Sequence, residues 1–181
     1  MKRILLVAAL GGVLAAPAAG SKVTIFPGVG IGKVRLGMTF TQVQKALGPP
    51  QTVNARKQLS RNRGYIEYGW NFSTFWVGFV NTKGVLHAAL IGTDLRRERT
   101  RSGIGVGSPV ARVTAIPRVR CFLGTAWVNH PYFDPEPRQG SHCVLRAAEG
   151  RSTIFVLKCV GALDYGCRGY AVVKMIVRTS F

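Results

Sequence analysis

Around residue 76 the chain alternates. Phe75, Val77 and Phe79 fall on one side and Thr74, Trp76 and Gly78 on the other, the period of a strand with one face buried. Tyr65 to Trp70 before it and Val85 to Ile91 after it are rich in aromatic and branched residues, so three strands are expected, with Asn81-Thr82-Lys83-Gly84 as the turn joining the last two. Upstream the period changes to that of a helix: Phe40, Val43 and Leu47 make one apolar stripe. Thr39 followed by Gln42 has the form of a capping box, and Met38 is placed to pack onto Val43 across it. Gly48 and Pro49-Pro50 then stop the helix at Leu47. A helix this short is not stable alone and must pack on the sheet. Val23 to Phe26 predicts a strand in an N-terminal arm over residues 19–29, and Arg56 to Arg63 predicts a polar connection.

The pattern then recurs. The run Gly30 to Met38 and on through Val43 returns 70 residues later as Arg101 to Ser108 and on through Val113, with Gly37 over Gly107 and Val43 over Val113, and Ser73 to Val80 lies over Thr153 to Val160. Ser108-Pro109 predicts a second short helix lined by Val110, Val113 and Ile116. Val144 to Arg146, Thr153 to Val160 and Ala171 to Arg178 supply strands. For the third strand, His87 and Ala89 match Val173 and Met175, and the two repeats suggest opposite faces. The expected organisation is a signal segment over 1–18, the arm over 19–29, repeat 1 over 30–93, a basic linker over 94–101 and repeat 2 over 102–181.

Met1-Lys2-Arg3, the apolar run Ile4 to Ala16 and then Ala16-Pro17-Ala18 give the basic, apolar and small-residue parts of a secretory signal. The expected location is therefore secreted or periplasmic, with no transmembrane segment. Cys121, Cys143, Cys159 and Cys167 all fall in the second repeat, an even number that favours two disulfides in an exported chain. Three pairings are open; Cys159 with Cys167 would staple one hairpin, leaving Cys121 with Cys143. The spacings of 21, 15 and 7 intervening residues lack the close pairs of a zinc site. With 25 Lys and Arg against 7 Asp and Glu, the formal charge is +18. Outside the cytoplasm such charge points to an acidic protein, a wall polymer or lipid headgroups rather than nucleic acid.

The run Leu36-Gly37-Met38-Thr39, then Val43, then Leu47-Gly48-x-Pro50 resembles the helix motif of the BamE-like (SmpA/OmlA) envelope proteins, and its tandem form is similar to the β-lactamase inhibitor protein. The resemblance covers residues 30–93 and, more weakly, 101–178. It implies an α+β fold of two tandem modules, each with short helices packed on one face of an antiparallel sheet and the other face free for a protein partner.

Catalytic groups are sparse. His87 lies in an expected strand, His130 and His142 flank a loop with Asp134, and Glu67 has no second carboxylate beside it in sequence. The Gly28-x-Gly30-x-Gly32 and Gly103-x-Gly105-x-Gly107 runs lack the Lys-Ser/Thr ending of a phosphate loop. The expectation is a non-enzymatic, inhibitor-like binding module with no cofactor and no metal. It would engage an envelope or secreted protein through Tyr65 and Trp76 on an exposed sheet face and through the linker arginines Arg96, Arg97 and Arg99. The alternative is a basic adhesin held to anionic wall polymer or lipid headgroups.

Overall fold

Thr39 caps the first helix as its spacing predicts: its hydroxyl accepts from Gln42 N, and the Gln42 side chain accepts from Thr39 N at 2.9 Å. The structure is a computed structural model that describes residues 23–60, 63–71, 74–123, 141–163 and 166–179, with the side chains of 55–65 and 162–168 excepted. The first repeat contains β1 (Thr24–Phe26), β2 (Gly30–Ile31), β3 (Val34–Arg35), α1 (Phe40–Leu47), β4 (Thr52–Ser60), β5 (Arg63–Trp70), β6 (Phe75–Thr82) and β7 (Val85–Thr93). After β8 (Arg99–Thr100) come α2 (Val110–Thr114), β9 (Val119–Phe122), β10 (His142–Arg146), β11 (Arg151–Leu163) and β12 (Gly166–Thr179).

The α+β expectation is overturned. Among the described residues the protein is mostly β, and helix there is confined to the eight residues of α1 and the five of α2. Two sheets carry the fold: an eight-stranded one in the order β4-β5-β6-β7-β12-β11-β10-β9, and a small one in the order β3-β2-β1-β8. Three local expectations also fail. Residues 56–60, taken as a connection, belong to β4, which pairs with β5. The basic linker is built into the small sheet, where β8 pairs in parallel with β1. Ser108 does not cap α2: its hydroxyl accepts instead from Gly105 N and from the Arg99 guanidinium, both at 3.1 Å.

The repetition is visible in the hydrogen bonds. Gly37 N bonds Ala88 O and Ala88 N bonds Met38 O, both at 2.7 Å; in the second half Gly107 N bonds Val172 O at 2.7 Å and Val172 N bonds Ser108 O at 2.9 Å. Gly37 and Gly107 have φ of 84° and 87°, a conformation that costs glycine least, so the glycine of each repeat is required for the turn that ties helix entry to sheet. Ala88 therefore lies over Val172. Each of these strands carries an extra residue beside that point, where the register shifts between Gly78 and Phe79 and again between Val156 and Leu157. The bulge explains why strand parity was unreadable there: Ala88 and Ile91, and likewise Val172 and Met175, all enter one core although they are three residues apart. With these pairings Val77 lies over Phe155, two residues away from the sequence match, a slip that preserves the face.

The main core lies between the eight-stranded sheet and everything packed on one side of it. Val77, Phe79, Ile91, Phe155, Met175 and Val177 from the sheet meet Ile25, Ile31 and Val34 of the small sheet, Val43 of α1 and Val113 of α2. The opposite face has a separate, smaller cluster made only of residues from the large sheet.

Candidate binding face

That second cluster joins Trp76, Leu90, Ile154 and Ile176, flanked by Val144 and Val156. It straddles the seam where β7 pairs with β12 (Ile176 opposite Gly92), the line at which the two halves of the sheet meet. Trp76 pairs directly across from Gly92, and its indole lies so close over that residue that a Cβ there would overlap the six-membered ring. The Lys174 ammonium sits over the ring, 4.6 Å from its centroid, a cation–π contact. Trp76 is consequently only 8% exposed. The alternation around residue 76 holds, but the tryptophan is a structural side chain and not an open anchor.

Toward the β9 edge the same face becomes basic. Cross-strand register sets Arg120 opposite Val144 and Val144 opposite Ile154; one step along, Arg146 is opposite Ser152 and Ser152 opposite Arg178. With Arg118 and Arg151 these arginines line a cleft of about 1040 Å³, and no carboxylate is among its lining residues. Neighbouring strands are ~4.8 Å apart, so guanidinium groups from β9, β10 and β12 converge within a few strand widths. Glu149, just outside, forms an ion pair with Arg151, and Arg178 Nε donates to Ser152 Oγ at 3.3 Å. Arg118, Arg120 and Arg146 are exposed. Arg118 also holds a φ of 65°, a left-handed conformation uncommon outside glycine, in the turn that delivers it to the rim.

Other residues singled out by the sequence do not gather here. The Tyr65 side chain, the Cys167 side chain, residues 1–18, His130 and Asp134 lie outside what is described. Arg96 and Arg97 are exposed on the turn before β8, whereas the Arg99 guanidinium donates to Gly103 O, Val106 O and Ser108 Oγ and is a structural brace. Cys121 and Cys143 form a disulfide between directly paired positions of β9 and β10, fastening the strands that carry Arg120 and Arg146. Cys159 is also disulfide-bonded. His87 Nδ1 sits 3.1 Å from Gly37 O, His142 stacks on Phe122 with centroids 5.0 Å apart, and Glu67 accepts from Asn54 Nδ2 at 2.8 Å. Among the described residues no group of three or more His, Cys, Asp or Glu is placed to hold a metal ion, and no helix is long and apolar enough to cross a membrane. The arginines of the cleft escaped sequence reasoning. The i, i+2 spacing of Arg118 and Arg120 was a visible signal, but only strand pairing brings Arg146, Arg151 and Arg178 beside them.

Inside the expected linker, Glu98 is 2% exposed, and its Oε2 has no hydrogen-bond partner among the described residues. Burial raises its carboxyl above the ordinary value of 4.5, against smaller opposing effects of the Thr93 hydroxyl and Arg97. A raised value in the folded state means that this group favours folding fully at pH below its unfolded value and that the contribution is lost as pH rises through the folded one. Glu98→Gln is thus expected to raise the melting temperature at neutral pH, with the gain shrinking to nothing in acid. Melting curves from about pH 4 to about pH 8 test this; a gain independent of pH would contradict it.

No known protein family matches this chain, and no curated protein matches it. The fold is similar to the crystal structure of the uncharacterized protein yfeY from Escherichia coli, with a TM-score of 0.49 and 12% sequence identity, over 83% of this chain and 96% of that one.

Proposed function

We propose that the chain is an exported, non-enzymatic binding module that holds an anionic ligand in the arginine cleft on the helix-free face of its large sheet. The observation that carries this is the convergence of five arginines, from β9 to β12 and the turn before β9, on one concave surface without a lining carboxylate. Like charges brought together repel, and an anion that sits among them relieves the repulsion while gaining charge-assisted, often bidentate, hydrogen bonds. Export is supported by the basic, apolar and small-residue N-terminus together with the Cys121–Cys143 disulfide. Of the two partner classes raised by the sequence, the anionic polymer or headgroup is favoured over a protein gripped by aromatic anchors, because Trp76 is buried beneath Lys174.

The test separates a site from bulk charge. Inorganic polyphosphate is titrated at low salt into the wild type, into Arg120→Glu/Arg146→Glu, and into Arg96→Glu/Arg97→Glu, which changes net charge equally. The cleft pair is expected to lose roughly tenfold or more in affinity and the turn pair less than about threefold. Equal losses would reduce the interaction to overall charge and refute the site.

A further inference from the structure

The cleft is not uniformly basic, and its polarity runs along the strands. Arg118, Arg146, Arg151 and Arg178 stand at one end, where β9 begins and β10 ends, and Arg120 stands opposite Val144 one step along. Beyond Arg120 and Val144, Phe122 closes the far end of β9. Phe122 is 45% exposed, a large apolar side chain at the rim of a charged cleft. A bare anion uses the first end only, and a linear polyanion gains nothing from an apolar second end.

Resting on the anionic-ligand function proposed above, we infer that the cleft takes an anionic amphiphile, a single molecule lying along β9 and β10. Its headgroup sits among Arg118, Arg120, Arg146 and Arg178, and its hydrocarbon tail runs past Val144 to Phe122. From Arg118 to Phe122 a strand advances about 13 Å, which a chain of roughly ten carbons with C–C bonds of ~1.5 Å can follow. A volume of about 1040 Å³ holds such a molecule. The arginines neutralise the headgroup, and covering the tail withdraws apolar surface from water on both partners. The same chemistry is offered by a phospholipid drawn from a bilayer and by a free alkyl phosphate.

The experiment compares decyl phosphate, kept at concentrations where it is monomeric, with inorganic phosphate, both by titration calorimetry on the full mature chain. Decyl phosphate is expected to bind one to one and at least about tenfold more tightly than inorganic phosphate, since each buried methylene contributes favourably. Phe122→Ser is expected to abolish that difference while leaving polyphosphate binding intact; the side chain is 45% exposed, and unchanged melting verifies the fold. Arg120→Glu/Arg146→Glu is expected to lose all these ligands. Competition of decyl phosphate by phosphatidylglycerol vesicles would assign the ligand to a bilayer, and its absence to a free amphiphile; both agree with the inference. Inorganic phosphate binding as tightly as decyl phosphate, or a Phe122→Ser variant that binds decyl phosphate normally, would overturn the amphiphile and leave the anion site standing. Failure of the phosphates and of polyphosphate alike would remove both.

Discussion

Gly92→Val is expected to destabilise the protein by about 3 kcal/mol, although valine is the better strand former of the two. The reason is the indole. Trp76 lies so close over Gly92 that even a Cβ there enters its six-membered ring, and the Lys174 ammonium sits over the ring, 4.6 Å from its centroid. Either the tryptophan leaves its rotamer or the β7–β12 seam opens, and that seam is paired only from Met175 opposite Thr93 to Arg178 opposite Leu90. Urea unfolding of the variant measures the loss. The attribution is checked by combining Gly92→Val with Trp76→Ala: the double variant should be less unstable than the sum of the singles, because once the ring is gone the valine has room. Additive losses would show that the glycine is needed for the backbone and not for the close approach.

Phe79→Ala is expected to cost about 3–5 kcal/mol. Phe79 is fully buried and belongs to a ring cluster, 5.4 Å from Phe40 of α1 and 5.7 Å from Tyr68 of β5, both edge to face, while Phe40 and Tyr68 are themselves 4.6 Å apart. Removing it opens a cavity at the point where α1 meets the sheet and also forfeits the ring–ring attraction. The short helix depends on such packing for its stability, so its signal in far-ultraviolet circular dichroism should fray before the sheet melts. Phe122→Ala, at a side chain 45% exposed, should change stability by less than about 0.5 kcal/mol. A loss below about 1 kcal/mol at Phe79 would mean that the cluster collapses onto the space, contrary to the packing described.

Local signals were legible where they act over a few residues. Thr39 and Gln42 cap α1 and Leu47 ends it because capping needs only residues three apart and a glycine after the last turn. The alternation of Phe75, Trp76, Val77 and Phe79 declared two faces, and the structure places them in two different clusters. The short α2 was announced by Ser108-Pro109, yet the serine hydroxyl was claimed by Arg99 and Gly105, a competition between partners that adjacency in sequence does not reveal. The share of helix was overestimated for a related reason. A resemblance carried by one helix motif speaks for the eight residues of α1 and says nothing of β4, whose end, Arg56 to Ser60, reads as a polar connection and yet pairs with β5 through Lys57, Gln58 and Ser60.

By itself the sequence determined the repetition, the boundaries of α1, the two faces of β6, the excess of positive charge and a set of cysteines that includes the Cys121–Cys143 pair. The tertiary structure alone decided which face of the large sheet is covered and that Trp76 is closed off by Gly92 and Lys174. It also decided that a bulge sits at the same place in both halves, and that arginines from five segments meet in one cleft. The division is physical. Caps, turns and alternation are interactions among near neighbours and are written in consecutive residues. Register, bulges and convergent charge depend on which strands pair, a choice settled by the packing of the whole core.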